Sequence, residues 1–496
     1  MSTITTDIAI VGSGIAGLTC AHFLSKKGKD VIVLESKSGS GGNIQSVVNE
    51  SYLLELGPNS FLASSDGIWE LIDDLNLNDE VCNSKEGAQN RFIYRDGQCQ
   101  KLPTSLMEFF TTKLFSFKTK LLILSEPFRT RRGHQDDSVE TFFTRRFGKE
   151  LTNIVISSFI SGVYAGNIAL LHAKSAFPLF WNFEQKYGSM IRGAFFHMRK
   201  LKKQKTKRRK GLWSFKRGLQ SLTNAIAAKL GNKILLNTSI KSLEKIDGKF
   251  HLGTNNQTII CDHVVLASPP GASSKILAAA LPKASKILAD IPLAPIAVVH
   301  LNTDQIEKIP TGFGMLIPRS ENIETLGVLF SSKTFAERAP NGRELLTVFI
   351  GGMLNKDLIN KSEDEIVEIV KKELETVLLL DRNHLQLDRV TKWKSCIPQL
   401  ILHHDLKIKD LNFRIYKSAF EHQPPAVVLF YNSAQACKVA CSFVENEGRT
   451  AAGERTVSLF INDIHVSDGR AENYKDAKHT CAENAMKYLK KKGSVN

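Results

Sequence analysis

The segment from Ile8 to Glu35 restricts the fold of this chain more than any other part of the sequence. A β-branched run is followed by Gly12, Gly14 and Gly17, a helical stretch, and a second β-branched run that ends at Glu35. This order predicts a βαβ unit that binds a dinucleotide, because the glycines permit a tight turn, close backbone approach to a pyrophosphate and close helix packing. Glu35 is placed to accept hydrogen bonds from ribose hydroxyls.

A second glycine-rich segment, Gly39-Ser40-Gly41-Gly42, follows this unit and favours FAD over NAD. Flavoenzymes with this βαβ unit bring another backbone segment against the diphosphate at this point of the chain. A nicotinamide-binding domain and a plain glycine-rich turn are the alternatives. We expect the cofactor to contact Gly12, Gly14, Ile15, Ala16, Gly17, Glu35, Ser36, Gly41 and Gly42.

Length and composition bound the class of protein. A chain of 496 residues, of which 42% are hydrophobic, is long enough for two or three domains with sizeable cores. Residues 1–7 lead directly into the first strand, so we expect no targeting peptide and a cytoplasmic protein. No apolar run reaches the roughly 20 residues of a membrane-spanning helix, although peripheral membrane contact stays open. The eight cysteines contain no CxxC pair, and we expect neither a metal site nor a disulfide framework.

Much of the net charge of +16 comes from one basic run, residues 199–210. We interpret this run as an exposed loop between elements. Attraction to anionic lipid, binding of nucleic acid and nuclear import are the alternatives. No aromatic residue interrupts the run, which argues against a stacking platform for nucleic acid.

Hydrophobic periodicity predicts an α/β chain: a Rossmann-like FAD-binding domain with an inserted helical domain, a mixed-sheet substrate domain and a small α+β C-terminal appendage. Within the substrate domain, an amphipathic helix is expected from Glu363 to Leu380, with Ser362 as its N-cap. The expected segments are 1–62 and 211–290 for FAD binding, 63–210 for the helical insertion, 291–392 for the substrate sheet, 393–424 for a flavin-proximal segment and linker, and 425–496 for the appendage.

Further motifs follow the nucleotide fingerprint in a fixed order. They are Gly57 to Phe61, Leu102 to Thr104, Ser161 to Gly166, Tyr187 to Ile191, Phe215 to Gln220, Gly312 to Pro318, and Trp393 with Pro398-Gln399. Together these motifs span about residues 5–415, and there the chain resembles the oxygen-dependent protoporphyrinogen oxidase family. Those enzymes are flavoproteins of the amine-oxidase superfamily, and the family includes coproporphyrinogen oxidases.

The resemblance implies oxidation of protoporphyrinogen IX or coproporphyrinogen III to the porphyrin in haem biosynthesis. FAD would accept the hydride equivalents, and dioxygen would regenerate it with release of hydrogen peroxide. Such chemistry needs no catalytic triad or metal, because the cofactor carries it. Asn59 is the best candidate for a polar side chain near the reacting carbon, with a turn-forming role as the alternative. The resemblance adds Gly57, Pro58, Asn59, Ser60, Ile240 and Trp393 to the expected flavin contacts.

A porphyrinogen is a flat, apolar ring with carboxylate arms, so its site needs a wide apolar cleft with few polar anchors. Arg95 and Arg192 are candidates to bind the carboxylates, with a solvated surface position as the alternative for each. For the apolar candidates, ordinary core packing is the alternative. Those candidates are Phe61, Tyr164, Phe313, Met315 and Leu316.

The chain also departs from the family pattern. Gly39 and Gln45 stand where the family commonly has basic residues near the paired glycines. After Trp393, the family continues with a strand, a Gly-Asn step and a glycine-rich turn into a final helix that completes the flavin pocket. We find no such segment in this sequence.

Instead, the C-terminal part resembles a double-stranded-RNA-binding domain. Its sequence predicts two strands, at 440–448 and 456–461, then a turn from Gly469 and a helix. Lys475 and Lys478 match that family's phosphate-contacting lysines. A plain α+β appendage with a solvated helix is one alternative. For the whole chain, the alternative function is a double-stranded-RNA-binding or non-catalytic protein built on a truncated oxidase-like body.

Overall fold

The computed structural model describes residues 2–62, 66–129, 132–203 and 211–401, and the backbone of three further strands. Contacts divide the chain into two compact units, Met1–His404 and Asp405–Asn496. The strands of the first unit are β1 (Ser2–Val11), β2 (Val31–Leu34), β3 (Ser46–Asn49), β4 (Tyr52–Glu55), β5 (Phe61–Leu62), β6 (Val81–Asn83), β7 (Arg91–Arg95), β8 (Gln98–Lys101), β9 (Leu212–Phe215), β10 (Ile234–Leu235), β11 (Ile240–Ile246), β12 (Lys249–Thr254), β13 (Gln257–Leu266), β14 (Leu293–Thr303), β15 (Gly314–Leu316), β16 (Thr325–Phe330), β17 (Glu344–Gly351) and β18 (Gln386–Pro398).

Helices pack on both sheets and also form a separate helical block. They are α1 (Ile15–Lys26), α2 (Asp66–Asp74), α3 (Leu106–Thr111), α4 (Phe117–Leu124), α5 (Val139–Phe147), α6 (Lys149–Leu151), α7 (Ser157–Tyr164), α8 (Ala173–Ala176), α9 (Pro178–Tyr187), α10 (Met190–Lys203), α11 (Gln220–Leu230), α12 (Pro270–Leu277), α13 (Pro282–Ala289), α14 (Ser331–Thr334) and α15 (Glu363–Leu378). Within the described ranges, none of these helices is long and apolar enough to cross a bilayer.

The first sheet confirms the predicted βαβ unit. Its strand order is β10-β2-β1-β13-β12-β11, with β1 parallel to both β2 and β13. β1 and β2 each bury a row of β-branched side chains, and α1 covers one face of the sheet with Leu18 in the shared core. The carboxyl ends of β1, β2 and β13 therefore meet at one edge, where the glycine-rich turn begins.

The second sheet is the predicted mixed sheet, with strand order β18-β14-β17-β16-β15-β7-β8. β7 runs parallel to β15, and the other neighbours are antiparallel. α15 packs on one face and contributes Ile366, Val370 and Leu374 to the largest buried cluster. Ser362 forms a capping box with Glu365, as the sequence predicts. The helix ends at Leu378, two residues before the predicted end, because Leu379 adopts a left-handed conformation with φ of 56°.

The helical block runs from α3 to α10. Its core is aromatic and surrounds Phe142, and Arg146 and Glu184 are fully buried beside it as an ion pair. A π-helical segment, Thr152–Ile156, lies between α6 and α7. α10 continues through Lys203, so the first residues of the basic run are helical, whereas 204–210 lie outside the described residues.

In the second unit, three strands form an antiparallel sheet: β19 (Cys441–Arg449), β20 (Arg455–Ile461) and β21 (Ile464–Ala471). The turn predicted from Gly469 is wrong, because Gly469 pairs with Val457 inside β21. A glycine read alone indicates a turn, but cross-strand pairing places this one within a strand. The predicted helix and both of its lysines, Lys475 and Lys478, lie outside the described residues.

Candidate active site

The turn after β1 and the first turn of α1 each require glycine at one position. Gly12 has φ of 105°, and a Cβ there would lie 2.9 Å from the Ala267 carbonyl oxygen. A Cβ on Gly17 would lie 2.0 Å from the Gly12 carbonyl oxygen, so α1 and β1 touch through backbone atoms. Gly14, by contrast, has nothing within 4 Å of the Cβ position. The space beside Gly14 is therefore open next to the start of α1, whose first N–H groups have no partner within the helix.

The second glycine-rich segment packs directly against this turn. The Gly41 amide donates to the Ser13 carbonyl oxygen at 2.8 Å, and a Cβ on Gly42 would lie 3.0 Å from the Gly14 Cα. Gln45, which stands where the family commonly has a basic residue, donates to the Gly42 carbonyl oxygen at 3.0 Å. Gln45 thus holds the loop in shape without adding charge.

Glu35 directly follows β2 and is almost completely buried. One carboxylate oxygen accepts hydrogen bonds from the Ser13 amide at 2.9 Å and the Ser13 hydroxyl at 2.8 Å, and the other accepts from the Lys37 amide at 2.9 Å. Burial acts to raise the pKa of this carboxyl, but these hydrogen bonds outweigh it and hold the pKa below its usual value. A carboxylate has about four acceptor positions, and the weakest of the four bonds here comes from the Ser36 hydroxyl, so a ribose hydroxyl would bind Glu35 by displacing Ser36.

The remaining residues predicted for this end of the site lie nearby. Ala16 is exposed in the first turn of α1, whereas Ile15 packs partly against the core. The Ser36 hydroxyl donates to the Glu35 carboxylate at 3.3 Å. The Thr238 amide donates to the Glu35 carbonyl oxygen at 2.7 Å, which brings Ile240, at the start of β11, to the same edge.

A main cavity of about 660 Å³ lies between the segment from Gly57 to Ser60, the second sheet and α7. The predicted flavin contacts Gly57, Pro58, Asn59, Ser60 and Trp393 line it, as do the predicted substrate contacts Phe313, Met315 and Leu316. α7 contributes one wall through Phe159, Gly162 and Val163. A Cβ on Gly162 would lie 2.3 Å from Leu316 Cδ2, so glycine allows this wall to approach the sheet.

Three predicted substrate contacts lie outside this lining, and we correct them here. Phe61 packs against Trp69 and Phe215 in the core of the nucleotide-binding domain. Arg95 forms an ion pair with Glu150 at 2.9 Å. The ring of Tyr164 packs against the aromatic core of the helical block, so protein side chains cover part of the ring without a ligand. The other candidate anchor, Arg192, lies 6.0 Å from the ring of Phe128, also away from the cavity.

Arg91 is the cavity residue that the sequence interpretation missed. Among the described residues that line the main cavity, it is the one charged side chain. Its guanidinium stacks 4.3 Å from the centre of the Phe313 ring and donates to the Ala88 carbonyl oxygen at 2.8 Å. Burial lowers its pKa from the usual value, but a guanidinium stays charged. Arg91 differs from Arg95 in that it pairs with Gly314 of β15. This pairing joins residues that are far apart in the chain, so the local sequence pattern does not reveal it.

Two polar side chains anchor the floor of the main cavity. The Trp393 indole donates to the Leu56 carbonyl oxygen at 2.7 Å, and the Asn59 amide donates to the Gly57 carbonyl oxygen at 3.0 Å. Asn59 therefore stabilises the turn and faces the cavity at once. Among the residues of the described ranges, no group of His, Cys, Asp and Glu side chains is arranged to hold a metal ion.

Comparison with known proteins places this geometry in a family. Residues 15–403 match the family described as flavin containing amine oxidoreductase. Protoporphyrinogen oxidase 1, chloroplastic, of Arabidopsis thaliana is 33% identical over 433 residues, which are 81% of this chain and 80% of that protein. Coproporphyrinogen III oxidase of Bacillus subtilis is 28% identical over 427 residues, 82% of this chain and 89% of its own.

The fold has the same neighbours. A putative protoporphyrinogen oxidase from Exiguobacterium sp. 255-15 superimposes with a TM-score of 0.70 at 24% identity, over 84% of this chain and 92% of that one. A UDP-galactopyranose mutase superimposes with a TM-score of 0.63 at 15% identity, over 83% and 88% of the two chains. The chain belongs to the flavin-containing amine oxidoreductase family.

Proposed function

We propose that this protein oxidises protoporphyrinogen IX or coproporphyrinogen III to the porphyrin, with FAD as cofactor and dioxygen as final acceptor, as a step of haem biosynthesis. The observation that carries the proposal is the apolar main cavity, which reaches the nucleotide-binding domain at Gly57 to Ser60. Among the lining residues that the structure describes, Arg91 is the one cation. A site for an apolar ring with carboxylate arms needs this combination. The names of the similar oxidases support the same reaction.

The residues of the nucleotide-binding edge fit FAD. Open space beside Gly14, the start of α1 and the abutting Gly41-Gly42 loop suit a diphosphate, and Glu35 suits the adenosine ribose. FAD supplies a hydride acceptor when it is bound. The proposed contacts are Gly12, Gly14, Ile15, Ala16, Gly17, Glu35, Ser36, Gly41, Gly42 and Ile240 at this end, and Gly57, Pro58, Asn59, Ser60 and Trp393 at the main cavity.

The side chains of the main cavity bind and orient the substrate. Phe313, Met315 and Leu316 offer an apolar surface to the ring and exclude water from the reacting carbon. Arg91 binds a substrate carboxylate, because a desolvated guanidinium forms strong paired hydrogen bonds with that group. Asn59 holds the reacting face of the ring against the floor of the cavity.

The first test is reduction of the bound flavin. Full-length protein loaded with FAD and freed of excess cofactor should keep a yellow flavin spectrum. Mixed without oxygen with protoporphyrinogen IX or with coproporphyrinogen III, it should bleach with at least one of them and recover its colour in air. A flavin that stays oxidised with both porphyrinogens would reject the proposed function, and comparison of the two rates identifies the substrate.

Arg91 can be tested against Arg95, which lies on the same strand outside the cavity. Arg91→Gln should raise KM about 10- to 100-fold, since a hydrogen bond to a charged group contributes about 1.5–3 kcal/mol. Arg95→Gln should leave KM near the wild-type value. Steady-state kinetics with the preferred porphyrinogen measures both. Equal KM values for wild type and Arg91→Gln would remove Arg91 from the substrate site.

We also propose a peripheral contact of the helical block with a membrane. Phe117 and Phe128 are 76% and 78% exposed, and Leu106, Met107 and Phe195 are largely exposed as well. Arg192 lies over the Phe128 ring, which joins α10 to the other exposed segments. The basic run in the sequence, residues 199–210, would add attraction to anionic lipid.

Phe117 and Phe128 bury little in the protein, so changing both to Ser should leave the fold intact. Each ring that enters a bilayer contributes about 1.5–3 kcal/mol, so the double change should weaken binding to anionic phospholipid vesicles at least about tenfold. Leu379→Ser, at a residue 71% exposed beside the second sheet, is the matched control and should bind like wild type. Co-sedimentation measures binding, and equal binding of both variants would contradict the proposal.

For the second unit, we propose binding of double-stranded RNA through Lys475 and Lys478. The three-stranded sheet, which precedes these lysines in the chain, is compatible with such a module. Changing both lysines to Ala should weaken duplex binding and reduce the slope of log affinity against log salt by about 2. Lys283→Ala with Lys286→Ala, exposed lysines at the same spacing in α13, is the control. If the changes at Lys475 and Lys478 leave duplex binding at the wild-type level, this proposal is wrong. If the protein binds duplex RNA but its flavin is not reduced by a porphyrinogen, a non-catalytic protein is favoured.

A further inference from the structure

The described residues that line the main cavity include no group that could accept a proton. Each two-electron oxidation of a porphyrinogen removes a hydride equivalent from a meso carbon and a proton from the ring, while a ring single bond becomes a double bond. Among the described lining residues, Arg91 is a cation, Asn59 and Ser60 are neutral, and burial raises the pKa of the Cys396 thiol to about 11. None of these side chains is a base at neutral pH.

A second, smaller cavity adjoins the first. Asn59, Phe313 and Leu329 line both cavities and so form the wall between them. The inner cavity has a volume of about 10 Å³, roughly the space of one water molecule. Glu55 and Arg338 line its far side, and both are almost completely buried.

The Glu55 carboxyl is buried, and neighbouring groups compensate its negative charge only in part. One carboxylate oxygen accepts from the Ser46 hydroxyl at 2.6 Å, and the other accepts from the Leu219 amide at 2.8 Å, next to the start of α11. The Arg338 guanidinium is the charged group that faces Glu55, but it donates to the Ser214 hydroxyl at 2.9 Å instead. Burial outweighs these stabilising contacts and raises the pKa of the Glu55 carboxyl above its usual value.

The strand packed against Glu55 adds no competing charge. His300, on β14, donates to the Glu55 carbonyl oxygen at 3.1 Å, and burial lowers the pKa of His300 to about 4. The imidazole is therefore neutral at physiological pH. Glu55 is the carboxyl group of the inner cavity, and its raised pKa makes it a better proton acceptor than an exposed carboxylate.

We propose that Glu55 accepts the proton released by the substrate ring through a water molecule in the inner cavity, at the wall that contains Asn59. This inference rests on the proposed function. The ring N–H or C–H bond breaks, its proton forms an O–H bond on the carboxylate, and the hydride equivalent goes to the acceptor of the reaction. After each turnover, the proton leaves past half-buried Ser46 to solvent.

The test is the pH dependence of anaerobic flavin reduction in full-length holoenzyme. Wild type should lose rate as the pH falls through the pKa of Glu55, because only the carboxylate accepts a proton. Glu55→Gln should lower the limiting rate about 100-fold, the usual scale of general-base catalysis, and should abolish this acidic limb. The porphyrinogen concentration at half-maximal rate should stay near the wild-type value, unlike that of Arg91→Gln.

Glu126→Gln is the matched control for a purely structural effect. Glu126 is also buried, accepts from the Ser189 hydroxyl at 2.5 Å and from the Met190 amide at 3.0 Å at the start of α10, but lies outside both cavities. The Glu126→Gln variant should leave the shape of the pH profile unchanged.

Infrared difference spectra of wild type minus Glu55→Gln should show a buried carboxyl that titrates at the pH of the acidic limb.

The outcomes separate this inference from the proposed function. If wild-type flavin is not reduced, the proposed function fails. If wild type is reduced and Glu55→Gln keeps the wild-type rate or the same acidic limb, the role of Glu55 is wrong. If Glu55→Gln does not retain FAD, Glu55→Asp takes its place: a shifted limb supports the proton acceptor, and an unshifted one overturns it.

Discussion

The short backbone segment that ends β4 joins the nucleotide-binding domain to the second sheet, and the site depends on that junction. The Glu55 carboxylate accepts from Leu219 at the start of α11, in the nucleotide-binding domain. The carbonyl oxygens of Glu55 and Leu56 accept from His300 and Trp393, on strands of the second sheet. Because the bonds from Leu219 and His300 are buried, breaking either would leave a polar group without water, and this cost holds the two domains in register. The main cavity opens directly after this junction.

Polarity is distributed unevenly around the cavities. The main cavity is apolar, and its one described cation, Arg91, is stabilised by an aromatic face and backbone carbonyls instead of a carboxylate. That arrangement leaves the guanidinium available to an anionic ligand, since no acidic side chain competes for it among the described ion pairs. The Glu55 carboxylate lies in the inner cavity, which Asn59, Phe313 and Leu329 separate from the main cavity. An apolar substrate and a polar proton acceptor can thus be neighbours without exposing the reacting carbon to water.

Features that depend on residues close together in the sequence were predicted correctly, whereas features that depend on contacts between distant residues were not. The βαβ unit and the capped helix from Glu363 depend on local periodicity and caps, and both are present. Arg95 and Phe61 were plausible cavity residues by type and motif, but their partners, Glu150 and Phe215, are distant in sequence. No local pattern indicates which of several similar side chains a distant strand will face. The third strand of the second unit was missed for the same reason.

The sequence by itself determined the nucleotide-binding turn, the α/β class and the family. Each depends on residue types at fixed short spacings, such as Gly12 and Gly17, whose small size is required by backbone contacts nearby. Tertiary structure alone decided that Arg91, not Arg95, reaches the cavity and that Glu55 lies behind Asn59. Strand register and domain packing bring those residues together over long distances in the chain, and such contacts follow from the burial of whole surfaces instead of any single motif.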